Sequence, residues 1–197
     1  MRQRSNRKRR HFGEFFSCNG EVLIINANEN QGVYVEILER MIHQLDAAIS
    51  THGRILVHRI DLHTTYFSSN NKIISKFMNR LKQWIKRNYG IEKIGYVWVR
   101  EQERSKNQHY HLGLFLDGAK IRHPKKFNAQ VKEMWTPNGY MPVVPSPFYF
   151  IDKSNRKEMR GSAIYRLSYL AKIRGKGYRD KQAKDFQTSR LKSISKS

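Results

Sequence analysis

The sequence predicts an α+β domain: a central, mainly antiparallel β-sheet with flanking helices. Three observations carry this expectation. Apolar residues recur at helical spacing over 33–49 and 70–88. Strand-like runs occupy 54–65, 96–101 and 109–117. Only a polar turn separates the last two runs, which suits a hairpin better than a parallel crossover.

Taken in order, Glu21–Asn26 reads as a short strand. Tyr34, Ile37, Leu38, Met41, Ile42, Leu45, Ala48 and Ile49 then mark one face of a helix over Val33–Ile49. Gly53 breaks the chain before a strand at Arg54–Thr65, where Leu56, Ile60 and Leu62 share a face with His58, and Arg59, Asp61 and His63 share the other. A second amphipathic helix covers Asn70–Asn88, with Gly90 as its stop. After the strand pair, Pro124 begins a helix over Lys125–Trp135. The proline-rich 137–147 is irregular, Phe148–Asp152 suits an edge strand, and Lys157–Ile173 reads as the last helix, ended by Gly175 and Gly177. The expected organisation is a basic N-terminal arm at 1–20, one domain at 21–175 and a basic tail at 176–197.

With 197 residues, 39% of them hydrophobic, including ten Phe, ten Tyr and three Trp, the chain can bury a real core. Its formal charge of +22 is extreme for that size. Residues 1–10 hold six bases and no acid, and 172–197 hold nine bases against two acids, yet the stretch between is basic too. Such a balance suits a phosphate backbone as partner. Cys18 is the only cysteine, which excludes an internal disulfide and fits a reducing compartment. No apolar run approaches a membrane span, no apolar stretch follows the N-terminal arginines as a secretory signal requires, and no phosphate-binding G-x-x-x-x-G-K-[ST] is present. A cytoplasmic location with no membrane partner follows as the expectation, and the N-terminal arm is expected to be disordered.

The chemistry concentrates in two places. On 109–117, Tyr110, Leu112, Leu114 and Leu116 form an apolar row, so His109, His111, Gly113, Phe115 and Asp117 project to the other side, away from the expected core. Gly113 leaves room there for a backbone or a ligand. Across the hairpin, Glu101 has the parity to meet the histidines, and Glu103 shares it further into the turn. An isolated His-x-His is usually ordinary strand surface, but two imidazoles facing a carboxylate make a partial shell for a divalent metal, Mg or Mn, with positions open to a phosphate. On the last helix, Tyr165, Tyr169 and Lys172 fall on one stripe. A tyrosine hydroxyl of pKa about 10 becomes a competent nucleophile beside a metal-polarised phosphate and a lysine. Arg59 and Asp61 fit either a structural ion pair or an approach to metal or DNA, and His63 fits a solvent-facing strand end.

Together, His109-Tyr-His111, the upstream acid and the helical Tyr169-x-x-Lys172 resemble the HUH endonucleases, which cut single-stranded DNA through a covalent phosphotyrosine. In viral initiators of that kind the acidic ligand stands eight residues before the first histidine, often after an arginine. Arg100-Glu101 matches that spacing, so the resemblance selects Glu101 over Glu103 and Tyr169 over Tyr165. A closer resemblance, from about residue 30 to 192, is to the YagK/YfjJ-type family of inoviruses and related prophages, carried by Arg59-Ile-Asp61-Leu-His63, His109-Tyr-His111, Tyr169-Leu-Ala-Lys172 and Arg174-Gly-Lys-Gly-Tyr-Arg-Asp-Lys.

This resemblance implies an HUH/Rep-like, ferredoxin-like palm and a rolling-circle replication initiator. It implies Glu101, His109 and His111 as metal ligands and Tyr169 as nucleophile with Lys172 beside it; Tyr165 makes a Tyr-x-x-x-Tyr pair on the other side and is the candidate second catalytic tyrosine. Arg59, Arg100, Arg174, Lys176 and Arg179 are the expected nucleic-acid contacts, with origin single-stranded DNA as substrate and a host helicase and replication machinery as partners. Ile173 stands where many relatives carry a second tyrosine after the lysine. A non-catalytic phage nucleic-acid-binding regulator and an HUH-type transposase are the alternative readings.

Overall fold

A computed structural model describes residues 9–102, 107–177 and 183–193. Two small antiparallel pairs come first: β1 (Arg10–His11) with β4 (Val33–Tyr34), and β2 (Phe15–Cys18) with β3 (Glu21–Ile24). The expected strand near residue 21 is therefore half of a hairpin that begins inside the stretch assigned to the arm; Phe16 and Leu23 turn inward and are buried. Residues 1–8 of the arm lie outside the described residues.

The main sheet has six strands, all paired antiparallel: β5 (Ile55–Thr64), β6 (Gly95–Glu101), β7 (His109–Asp117), β8 (Gly139–Tyr140), β9 (Phe148–Ile151) and β10 (Phe186–Thr188). Spatial order is β10-β6-β7-β5-β8, with β9 beside the other end of β5. Between β5 and β6 runs α2 (Lys72–Tyr89), so these two strands are parallel to each other with β7 inserted between them, a split β-α-β arrangement. Gly90 ends α2 in the left-handed conformation, φ 60°, that glycine adopts without strain.

Both faces of the sheet are covered. Leu56, Ile60, Leu62, Trp98, Tyr110, Leu112, Leu114 and Leu116 pack against α2 and against α3 (Pro124–Trp135), whose N1 position Pro124 takes. On the opposite face, Ile55, Val57, Val97, Val99 and Phe115 meet α1 (Val35–Thr51) and α4 (Arg156–Ser168). The histidine row was expected to point away from the core; it points into a second core, because α1 and α4 cover that side. The last helix is also shorter than its periodicity suggested. It ends at Ser168, and Tyr169–Ala171 continue as a 3-10 turn. Among the described residues no helix is long and apolar enough to cross a membrane.

Candidate active site

The register of β5, β7 and β6 sets the site. His109 lies opposite Glu101 on β6 and His63 on β5, while His111 lies opposite Val99 and Asp61. Cross-strand partners share a face, so two acids and three imidazoles gather at one end of the sheet. Glu101 Oε2 stands 3.3 Å from His109 Nε2 and 3.2 Å from His111 Nε2. The nearest donor atoms of Glu101, His109 and His111 all fall within 4.8 Å of one another. Glu103 lies outside the described residues.

Asp61 completes the arrangement from behind. Its Oδ1 is 2.8 Å from His111 Nδ1, which turns Nε2 of that ring toward Glu101. Metal-binding histidines are commonly oriented by a carboxylate on the far nitrogen. Arg59 pairs with Asp61 at 3.2 Å and lays its guanidinium 4.4 Å from the centre of the Tyr169 ring. Of the two readings of Arg59 and Asp61, the ion pair is present, and Arg59 is buried between Asp61 and the Tyr169 ring rather than extended to the surface.

Tyr169 arrives through packing. A Cβ on Gly113 would lie 3.2 Å from Leu167 Cδ2, so the bare glycine is what admits Leu167 of α4 against β7. Two residues on, the Tyr169 ring meets His111 edge to face at 5.4 Å. Lys172 Nζ lies 5.2 Å from the centre of the same ring and donates to Gln31 Oε1 at 2.8 Å. Tyr165 does not join them. It is exposed on α4 and, among the described residues, makes no hydrogen bond or ring contact with the cluster.

Two expected nucleic-acid contacts have other tasks. Arg100, 2% exposed, donates to Ser68 O, Asn70 O and Gln102 Oε1, tying the loop after β5 to the end of β6. Lys176 is buried and bonds Glu101 Oε1 at 2.5 Å as well as Lys172 O. The glycine-broken tail was expected to lack fixed placement. Gly175 has φ 74°, a Cβ there would lie 3.3 Å from the Glu101 side chain, and its carbonyl accepts from Gln102 N, so the chain turns close against Glu101 and carries Lys176 inward. Arg174 is exposed, near enough for its charge to act on Tyr169. Arg179 lies outside the described residues.

The electrostatics follow from these contacts. Burial works to raise the Glu101 carboxyl, but hydrogen bonds from His109 and His111 and the charge of Lys176 outweigh it and hold the group well below the usual carboxylate range. Asp61 is held at about 2, its burial overcome by His111 and Arg59. Burial would lower His111, yet Asp61 and Glu101 on its two nitrogens raise it. Burial and the Glu101 charge push the Tyr169 hydroxyl up, against Arg59 and Arg174. Burial, reinforced by Arg59, lowers Lys172, with Glu101 opposing.

Ionised carboxylate, two convergent Nε2 atoms and a carboxylate backing one ring form a donor set that fits a divalent cation. A family model described as YagK/YfjJ C-terminal domain matches residues 21–137, which include Arg59, Asp61, Glu101, His109 and His111 but stop before Tyr169 and Lys172. No curated protein and no solved structure matches the chain.

Proposed function

The chain belongs to the YagK/YfjJ C-terminal domain family, and from that premise we propose that this member is an HUH-type single-strand DNA nickase and strand transferase that initiates rolling-circle replication of a filamentous phage or prophage. One observation carries the reading: Tyr169, with Lys172 and Arg59 on its ring, packs against His111, whose Nε2 shares a Glu101 oxygen with His109. Nucleophile, positive charge and cation donors meet at one place.

Glu101, His109 and His111 would hold Mg or Mn, which when bound polarises the scissile phosphate. Tyr169 stays a phenol in the resting protein because burial and Glu101 disfavour its anion. Arg59 and Lys172 offset the charge that develops as its proton leaves. The Tyr169 oxygen bonds to phosphorus while the bond from phosphorus to the 3′ oxygen breaks. The 5′-phosphate remains on the protein, and the 3′ oxygen takes a proton and departs as a hydroxyl. The phosphotyrosine conserves the bond energy, so a later 3′-hydroxyl reverses the step and seals the strand. Origin single strands are the substrate, a host helicase supplies strand separation, and the bacterial cytoplasm is the setting.

Labelled origin single strands incubated with the protein and Mn are expected to yield a covalent protein–DNA adduct that Tyr169→Phe abolishes and Tyr165→Phe leaves intact. An adduct that survives Tyr169→Phe would sink the assignment. The Lys176–Glu101 contact favours a second reading, a non-catalytic binder in which lysine alone neutralises the acid. That reading expects a His109→Ala, His111→Ala double variant to bind DNA and perform as the parent does.

A further inference from the structure

From the metal-ligand cluster a run of rings leads outward. His63 stacks on His109 with centroids 4.9 Å apart and planes 18° apart, and Tyr140 lies on His63 at 5.0 Å and 35°. Strand register builds the run, because His109 and Tyr140 are the cross-strand partners of His63 on its two sides. The Tyr140 hydroxyl lies 3.1 Å from His63 Nδ1, which fixes one ring against the other. At Gly139 a Cβ would sit 2.0 Å from His63 O, so only glycine lets β8 come this close.

The inner rings are partly or wholly covered, but Tyr140 is 57% exposed, and Tyr66 and Phe67, which follow β5, are 47% and 54% exposed. Their backbone is anchored. Thr65 N donates to Asn138 O at 3.2 Å, Ser68 N to Gln108 Oε1 at 2.8 Å, and Arg100 to Ser68 O at 2.6 Å. Aromatic rings held open to solvent on fixed backbone beside a charged site call for a ligand with flat faces and a negative backbone. On a chain of formal charge +22, single-stranded nucleic acid meets both requirements.

We propose that Tyr140, backed by His63, is a nucleobase-stacking subsite that holds an unpaired base next to the phosphate at the cluster, with the exposed Tyr66 and Phe67 that follow β5 offering further rings to the same strand. The ligand class rests on the function proposed above; the ring geometry does not. Bases inside a duplex present no free face, so the subsite selects an unpaired strand without reading its sequence.

The test measures binding apart from cleavage. The full chain carrying Tyr169→Phe is titrated, without added metal and at one fixed salt concentration, into a fluorescein-labelled thymidine oligonucleotide of about 20 nucleotides and into an abasic strand of equal length. Adding Tyr140→Ala is expected to weaken binding to the thymidine strand by about 5- to 150-fold, the range for one lost stack, and to leave the abasic strand unaffected. Tyr140→Phe keeps the ring and is expected to bind as the parent. A Tyr66→Ala, Phe67→Ala double variant, in which Tyr140 is untouched, is expected to lose affinity in the same base-dependent way. Equal losses on both strands, a loss in Tyr140→Phe matching that in Tyr140→Ala, or undiminished binding by both alanine variants would overturn the proposal. Because no adduct is scored, failure of the nicking reading shows in the Tyr169→Phe comparison and failure of the stacking reading shows here.

Discussion

His58 and His111 sit on adjacent strands of one sheet, 0% and 4% exposed, and the fold puts them to opposite uses. His58 faces α2 and α3, with the Phe148 ring at 4.6 Å and Phe127 at 5.8 Å. Burial drives its pKa down to about 3, so it is a neutral ring in an apolar wall. His111 faces α1 and α4 with Asp61 on one nitrogen and Glu101 on the other, and those acids raise it although burial alone would lower it. Depth is common to both residues; opposed carboxylates are not. A buried histidine becomes a candidate for chemistry when the charge around it exceeds what packing requires.

The sharpest way to break the contrast is to remove the acid. Glu101→Gln leaves the Lys176 ammonium buried without its partner, and loss of one member of a buried pair costs about 3–5 kcal/mol. Urea unfolding at pH 7 should show that loss, and Lys176→Met in the same background should restore much of it. Next in size is the carboxylate behind His111. Asp61→Asn keeps the shape but weakens the hold on Nδ1, and changes of this kind lower metal affinity about 10- to 100-fold. Titration calorimetry with Mn would record it. Unchanged affinity would mean that Asp61 serves Arg59 alone.

His58 supplies the reverse test through pH. Its folded pKa of about 3 lies below the ordinary 6.5, so the unfolded chain takes up the proton first. The stability it contributes is fully present above about pH 6.5 and is lost as pH falls toward 3. At pH 5 the loss amounts to about 2 kcal/mol. The parent should therefore lose about that much more than His58→Leu between pH 7 and 5, as read from denaturant midpoints. Equal slopes would show that His58 is less insulated than its packing suggests.

The contrast also marks how far the sequence was legible. Period-two alternation in 109–117 placed Tyr110 and His111 on opposite sides, and the glycine at 90 and proline at 124 marked helix ends that the structure keeps. The helix-sheet class followed from such local signals. What local periodicity cannot carry is pairing between distant segments. His63 read as a solvent-facing strand end because nothing nearby revealed that nine residues of β5 pair with β7 and set it on His109. Asp61 was left between roles for the same reason. The matched alternation of Arg59, Asp61, His63 with His109, His111 was the available clue: two polar rows of equal phase need each other when both strands are central. Arg100 and Lys176 were misplaced by a different effect, since charge composition reports partners on average and says nothing about which bases a turn or an acid draws inside.

A last difference between the two faces concerns how each fills the space above β7. Opposite His58 the strand offers Leu114, whose side chain fills that space from the sheet; opposite Arg59 it offers Gly113, and Leu167 fills the gap from α4. In Gly113→Ala the new methyl meets Leu167 Cδ2 and Val97 Cγ1, each at 3.2 Å. Overpacking of this kind costs about 1–3 kcal/mol, while replacing glycine within a strand returns part of it through the unfolded chain. A net loss of about 1 kcal/mol in urea unfolding is the smallest effect expected among these variants. Leu167 must give by a few tenths of an ångström and carries Tyr169 with it, so adduct formation should fall by more than the folded fraction does, though by less than the loss of about 100-fold that a full 1 Å misplacement brings. Adduct formation that falls no more than the folded fraction would show that Tyr169 is positioned by Arg59 and Lys172 and not by the glycine gap.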